Sequence, residues 1–278
     1  MSEASGRTFL VAGANTGIGR ATAEGLAGPG GRVWIGARSR VKGEEAVASV
    51  KAATGNDAVF FLPLDLADLD SVRAGAAAFL ARGEPLHVLV NNAGVGGAHG
   101  LSKQGFELTF AINHLGHFAL TALLLGALTA SAPARVVTVS SDSHYSARGI
   151  DFDALRRPAR GLTGLREYAV SKLCNVLFSQ ELARRTAGTG LTTYALHPGV
   201  VASDIWRRVP WPARPLMTRR MLCVEEGAAT SLYCATSPSV AQDSGLFYDK
   251  CAPRSPSRVA TPELAAELWK RSEEWAAP

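Results

Sequence analysis

Thr8-Phe9-Leu10-Val11-Ala12-Gly13-Ala14-Asn15-Thr16-Gly17-Ile18-Gly19 decides the fold. Residues 8–12 have strand character, a glycine-rich turn follows, and a helical pattern takes over at Gly17. Residues without a Cβ permit a tight turn and close approach of a phosphate. The N-terminus of the helix that follows favours an anion. Strand, glycine turn and helix in this order are how a dinucleotide-binding sheet begins. The spacing is Gly-x3-Gly-x-Gly, which differs from the Gly-x-Gly-x-x-Gly of long dinucleotide domains. Gly13, Asn15, Thr16, Gly17, Ile18 and Gly19 are the residues expected to hold the cofactor phosphates.

Outward from this stretch the same rhythm repeats. Strand-like runs recur at 33–36, 58–63, 88–90, 135–140, 191–196 and 245–248. Helical patterns fill 17–27, 41–53, 69–81, 104–128, 167–185 and 225–235, and an amphipathic one closes the chain at 262–275. The inner strands are apolar on both faces, as expected when helices cover both sides of a sheet. The expectation is an α/β fold, a doubly wound parallel sheet of about seven strands in one domain over 1–278. Two segments break the rhythm, 142–166 and 204–223. The second carries Trp206, Pro210, Trp211, Pro212, Leu216 and Met217, and a loop that apolar is packed or forms a lid over an apolar ligand. Both are expected to shape the substrate pocket.

Composition narrows the function. Of 278 residues 47% are hydrophobic, which fits a folded chain. The balance of 29 basic and 24 acidic side chains is modest, and Arg156-Arg157, Arg207-Arg208 and Arg219-Arg220 are isolated pairs. Nucleic-acid binding needs a clustered basic stripe, and none is present. Cys174, Cys223, Cys234 and Cys251 form no CxxC pair, and the nearby histidines lack zinc-ligand spacing. Reduced thiols, no metal and a cytoplasmic location are expected. The most apolar stretch, 120–130, is short of the ~20 residues of a membrane helix and reads as a core helix, and the N-terminus has no apolar signal core, so no membrane anchor is expected.

The second strand ends Gly36-Ala37-Arg38-Ser39-Arg40. An NAD site places an acid here to bind the ribose 2′-hydroxyl, whereas an arginine grips a 2′-phosphate. NADP(H) is therefore expected, with Arg38 as the main contact and Ser39 or Arg40 assisting. Tyr168 and Lys172 stand one helical turn apart. A neighbouring ammonium makes a phenolate easier to form, so Lys172 is expected to lower the Tyr168 pKa. Such a tyrosine passes a proton to or from an alcohol or carbonyl oxygen.

With these motifs the chain resembles the short-chain dehydrogenase/reductase family over 7–248. The glycine loop resembles Thr-Gly-x3-Gly-x-Gly, with Ala12 in place of threonine. Asp65-Leu66 resembles the pair that contacts adenine. Asn91-Asn92-Ala93-Gly94 resembles the strand-end signature beside the adenine pocket, and implies cofactor contacts for Asn91, Ala93 and Gly94. Asn113 matches the family's helix asparagine, Ser141 its catalytic serine, and Tyr168 and Lys172 its acid/base pair. Pro198 and Gly199, with Val201 beyond them, match the turn against the nicotinamide, and Ser203 the residue that contacts the carboxamide.

Asn113-His114-Leu115-Gly116-His117-Phe118, Ser171-Lys172-Leu173-Cys174-Asn175 and His197-Pro198-Gly199-Val200-Val201 resemble the retinol-dehydrogenase-like branch. Membrane-bound members carry an N-terminal anchor, and this chain opens almost at its first strand, so a soluble relative is expected. Its abundance of Ala, Gly and Arg is that of a GC-rich bacterial gene.

The resemblance implies hydride transfer between NADP(H) and a bulky hydrophobic ketone, aldehyde or alcohol. Tyr168 is then the general acid or base, Ser141 polarises the carbonyl, Lys172 tunes Tyr168, and Asn113 holds a helix carbonyl and a water. Homo-oligomer contacts are implied through the helices at 104–128 and 167–185. The alternative is a non-catalytic NADP-binding regulator on the same fold. A related epimerase or dehydratase has a longer chain and a different glycine spacing. His114 and His117 are expected to pack within their helix. For His144, in the long insertion, a place at the substrate mouth is the minor reading. His197 either approaches the cofactor or caps its strand.

Overall fold

The computed structural model describes residues 4–161, 163–201 and 223–277. β1 (Thr8–Ala12) has all five residues buried. It sits beside β2 (Arg32–Ala37) on one side and β4 (Val88–Asn91) on the other, parallel to both. The remaining parallel strands are β3 (Val59–Pro63), β5 (Ala134–Val139), β6 (Leu191–His197) and β7 (Leu246–Asp249). The full order is β3-β2-β1-β4-β5-β6-β7-β8, with β8 (Ala252–Pro253) an antiparallel hairpin strand on the edge. This is the doubly wound sheet expected, with eight strands where about seven are legible. The extra one is two residues long, too short to carry a period-two pattern.

Successive residues of each strand face opposite sides of the sheet, and each side has a helical layer. Leu10 joins Trp34, Phe79, Phe110 and Phe118 on one side, while Phe9 and Val11 join Ile35, Val90 and Tyr194 on the other. Burying each such side chain contributes about 1.5–3 kcal/mol. The helices are α1 (Gly17–Ala27), α2 (Arg40–Thr54), α3 (Leu69–Leu80), α4 (Leu108–Ala130), α5 (Leu165–Arg185), α6 (Val224–Thr236) and α7 (Pro262–Ala276). α4 is long and apolar enough to cross a membrane, but 72% of its apolar window is buried in this fold. Its second turn, Ala111–Leu115, is wound as a π-helix around Asn113. Such bulges concentrate at functional sites, and no periodicity marks them in a sequence.

α7 packs across α5 and α4. Trp269 stacks on Phe178 at 5.9 Å and meets Phe118 edge-on at 4.9 Å, and His114 Nε2 pairs with Ser272 Oγ at 3.1 Å. α7 thus covers one face of each of these two helices, while Ala122, Leu123 and Gly126 of α4 stay exposed.

Strand order reverses between β1 and β4, and ligands of such sheets bind outside the carboxyl ends of the strands at that crevice. The glycine turn, Asn91 to Gly94, Ser141, and Pro198-Gly199 all follow strand ends there.

Candidate active site

The glycine turn is held from below. Gly13 has φ +74, and a Cβ on it would lie 2.6 Å from Ala93. A Cβ on Gly19 would lie 2.4 Å from both Asn92 Nδ2 and Gly13 O. The Asn92 amide ties the two strand ends together by donating to Ala12 O at 3.2 Å and Gly13 O at 3.1 Å. Gly17, by contrast, has φ +57 and open space where a Cβ would stand. The N-cap Thr16 makes no side-chain cap, and the first turn of α1 holds no acid. These residues fit a dinucleotide: backbone N–H groups at the start of α1 are left to an anion.

Arg38 and Arg40 separate cleanly. Arg40 pairs with Glu44 at 3.0 Å and lies over the Phe61 ring, and Ser39 caps α2 by accepting from Lys42 N–H at 3.4 Å. Arg38 is exposed and makes no hydrogen bond or ion pair among the described residues. Asp65 Oδ1 accepts from Ala67 N–H at 3.0 Å, and Leu66 is buried against Gly116. Gly199 has φ +84, and Val201 is buried against Gly227. Ser203 and most of the expected substrate segment 204–223 lie outside the described residues.

The catalytic candidates form one buried knot. The Asn113 side chain brackets the Val95 peptide, accepting its N–H at 2.8 Å and donating to its carbonyl at 3.0 Å. It also donates to Ser171 Oγ at 2.9 Å, and Ser171 Oγ donates to Tyr168 O at 2.8 Å. Lys172 Nζ donates to Val139 O at 2.9 Å, joined there by Asn175 Nδ2 at 3.1 Å. Ser140 Oγ closes the knot on Lys172 O at 2.7 Å. Gly94 lies against this cluster, since a Cβ there would be 3.4 Å from Lys172 Nζ and 3.8 Å from Asn113 Oδ1. Asn113's own carbonyl accepts from His117 Nδ1–H at 3.0 Å.

The electrostatics differ from the expectation for the tyrosine. Lys172 Nζ is 5.5 Å from the Tyr168 ring centroid. Burial pushes the Tyr168 phenol above its usual value, and a hydrogen bond with the Ser141 side chain offsets part of this. Burial also lowers Lys172 to about 7. A lysine that has itself lost much of its preference for charge attracts a phenolate weakly, so desolvation wins and Tyr168 is a protonated donor at neutral pH. Burial likewise lowers His114 to about 3 and His117 to about 4. His114 packs among Phe110, Phe118 and Phe178, as helix packing requires.

Sequence reasoning missed a second network beside Ser141. His144 lies in the interior and not at a mouth: its Nδ1–H donates to Ser141 O at 2.7 Å, and its Nε2 accepts from Ser257 N–H at 3.1 Å. Those partners fix a neutral tautomer. His197 Nδ1 accepts from Asp142 N–H at 3.3 Å, which makes it a strand-end anchor. Arg254 then joins Asp142 at 3.1 Å to Asp249 at 3.0 Å. Ser171, Asn175 and Asn92 were legible only as members of motifs; their bonds reach residues too distant for spacing to register.

The description "short chain dehydrogenase" belongs to the family model that matches residues 7–150. Retinol dehydrogenase 12 of Homo sapiens is 44% identical over 274 residues, covering 96% of this chain and 85% of that protein. A crystal structure of an uncharacterized protein from Mycobacterium Paratuberculosis superposes with TM-score 0.78 at 34% identity, covering 99% of this chain and 97% of that one. A Pseudomonas aeruginosa RhlG/NADP active-site complex reaches TM-score 0.72 at 27% identity over 87% of this chain and 94% of that one.

Proposed function

Because the chain belongs to the short-chain dehydrogenase/reductase family of oxidoreductases, in its retinol-dehydrogenase-like branch, we propose that it is an NADP(H)-dependent carbonyl reductase for bulky hydrophobic ketones or aldehydes. The reading is carried by Tyr168 standing beside Ser141 at the carboxyl end of β5, with Lys172 one turn on and its Nζ on Val139 O at 2.9 Å. NADP(H) supplies the hydride. Gly13 to Gly19 would hold its pyrophosphate, Asp65, Leu66, Ala93 and Gly94 its adenosine end, and Pro198, Gly199, Val201 and Ser203 its nicotinamide side, while the Asn91 side chain is turned into the interior on Thr121 Oγ1 at 3.0 Å. Arg38 would hold the 2′-phosphate, because Arg40 is engaged with Glu44.

Ser141 positions the substrate carbonyl by a hydrogen bond to its oxygen. Tyr168 then donates its phenolic proton to that oxygen as negative charge develops there. A phenol kept protonated by burial suits this direction. Lys172, with its proton held loosely, resupplies Tyr168, and Asn113 sets the height of the helix that carries both. The relatives named retinol dehydrogenase and the apolar side chains from Trp206 to Met217 support a large apolar substrate over one domain.

The test is NADPH oxidation across a panel of hydrophobic carbonyls, beside Tyr168→Phe. The variant should lose at least about a hundredfold in kcat while its cofactor affinity holds. Equal rates would remove Tyr168 from the role. Cofactor binding with no turnover on any carbonyl would favour the non-catalytic regulator instead. Arg38→Asp should move preference towards NADH, since it exchanges phosphate attraction for repulsion. An unchanged ratio would place the 2′-phosphate elsewhere.

A further inference from the structure

Behind the first turn of α5 lies a cavity of about 870 Å³ that the proposed reaction does not use. Leu165, Arg166, Glu167, Ala169 and Val170 form one wall. At about 100° per residue, those five side chains sweep about 200° of α5, and Tyr168 falls in the remaining arc. Neither catalytic candidate is part of the wall. The facing wall is the segment 146–160, which follows the turn after Ser141. The space is large enough for a ligand of ordinary metabolite or lipid size.

The body of the cavity is apolar, with Ala147, Ile150, Leu155 and Val170 among its lining. Its charges do not balance. Arg148, Arg157, Arg160 and Arg166 line it with exposed side chains, and none of those side chains forms an ion pair or hydrogen bond among the described residues. Of the three acids in the lining, two are committed to the main chain. Glu107 accepts from Thr109 N–H at 3.0 Å and Phe110 N–H at 2.7 Å, and Asp151 Oδ1 accepts from Ala154 N–H at 3.1 Å. Glu167 is the third, against four arginines in the lining. By contrast, Arg20, Arg40, Arg73, Arg184 and Arg271 each sit in an ion pair within their own helix.

We propose that this cavity is a second binding site, for an apolar chain ending in an anion, either a carboxylate or a phosphate monoester. The walls take the chain, and the guanidinium forks take the head by paired charge-assisted bonds. The site is separate from the cleft that Tyr168 serves, so it stands or falls apart from the proposed reductase activity.

Titration calorimetry on the full chain, below the micelle concentration, tests this with laurate, dodecyl phosphate and dodecanol. One of the two anions should bind one to one, and which of them does identifies the head group. Dodecanol should bind at least about tenfold more weakly. Arg157→Gln with Arg160→Gln should weaken the anion at least about tenfold, while Arg184→Gln should change nothing. Tyr168→Phe should bind it like wild type. Equal affinity for dodecanol, no binding of either anion, or an unaffected double variant would overturn the proposal. Loss of binding in Tyr168→Phe would also overturn it, because the anion would then occupy the catalytic cleft. Absent carbonyl turnover with anion binding intact would sink the reductase and leave this site standing.

Discussion

Two polar networks hold the carboxyl end of β5, and they differ in depth. The inner one, Asn113, Ser171, Lys172, Asn175 and Ser140, has no residue more than 2% exposed. The outer one, Asp142, Arg254 and Asp249 with His197, has side chains 44%, 44%, 18% and 9% exposed. Their bonds are of similar length, yet their worth differs. Inside, every donor removed strands a partner away from water, at about 1–3 kcal/mol each. Outside, water replaces a lost partner, and an exposed ion pair is worth little. The inner network thus fixes where Tyr168 and Lys172 stand, and the outer one trims the loop that follows Ser141.

Acid should break the inner side first and by the most. His117, which donates to the Asn113 carbonyl, has its pKa lowered by burial to about 4, with the charge of Lys172 acting the same way. The unfolded chain takes up that proton near pH 6.5 and the folded chain only near 4. Above 6.5 both are neutral and nothing changes; as pH falls from 6.5 towards 4, folding stability declines. For this one group the loss is on the order of 3 kcal/mol. His114 extends the fall to lower pH, its value being lowered to about 3. Urea unfolding at pH 7, 6, 5 and 4 should show the decline, and His117→Gln should flatten it by about 1.4 kcal/mol per pH unit. Parallel slopes for wild type and variant would mean that His117 reaches solvent.

Asn113→Ala is the next largest effect. It strands the Val95 N–H and carbonyl and leaves the Ser171 hydroxyl one bond short. A loss of about 2 kcal/mol in urea, with kcat reduced more than cofactor affinity, is expected. A loss below about 0.5 kcal/mol would show that the inner network tolerates gaps as the outer one does.

The difference in depth also explains what the sequence disclosed. The glycine turn, Tyr168 with Lys172, and the strand-helix alternation are local patterns, and each falls where expected. Arg38 over Arg40 is the sequence reading too, and the positions of Glu44 and Phe61 add the reason that Arg40 is engaged. The π-turn at Asn113, the bond from Ser257 to His144 across 113 positions, and α7 lying over α4 and α5 have no local signature. The fall of Lys172 to about 7 was illegible for the same reason: spacing gives a neighbour's identity, and burial decides its charge.

The smallest effect sharpens the contrast from the outside. Arg254→Gln removes both carboxylate contacts and the guanidinium over the Tyr145 ring. Asp142 can turn to water, Asp249 keeps an 18% exposed side chain, and the Asp142 N–H keeps its bond to His197. Tm should therefore stay within about 2 °C of wild type, and the gap should close in about 0.5 M salt, where exposed charges are screened. KM for the carbonyl should move more than kcat, since Asp142 follows Ser141 directly while Tyr168 and Lys172 are untouched. A shift in Tm as large as that of Asn113→Ala, persisting in salt, would place Arg254 in the structural core and erase the distinction between the two networks.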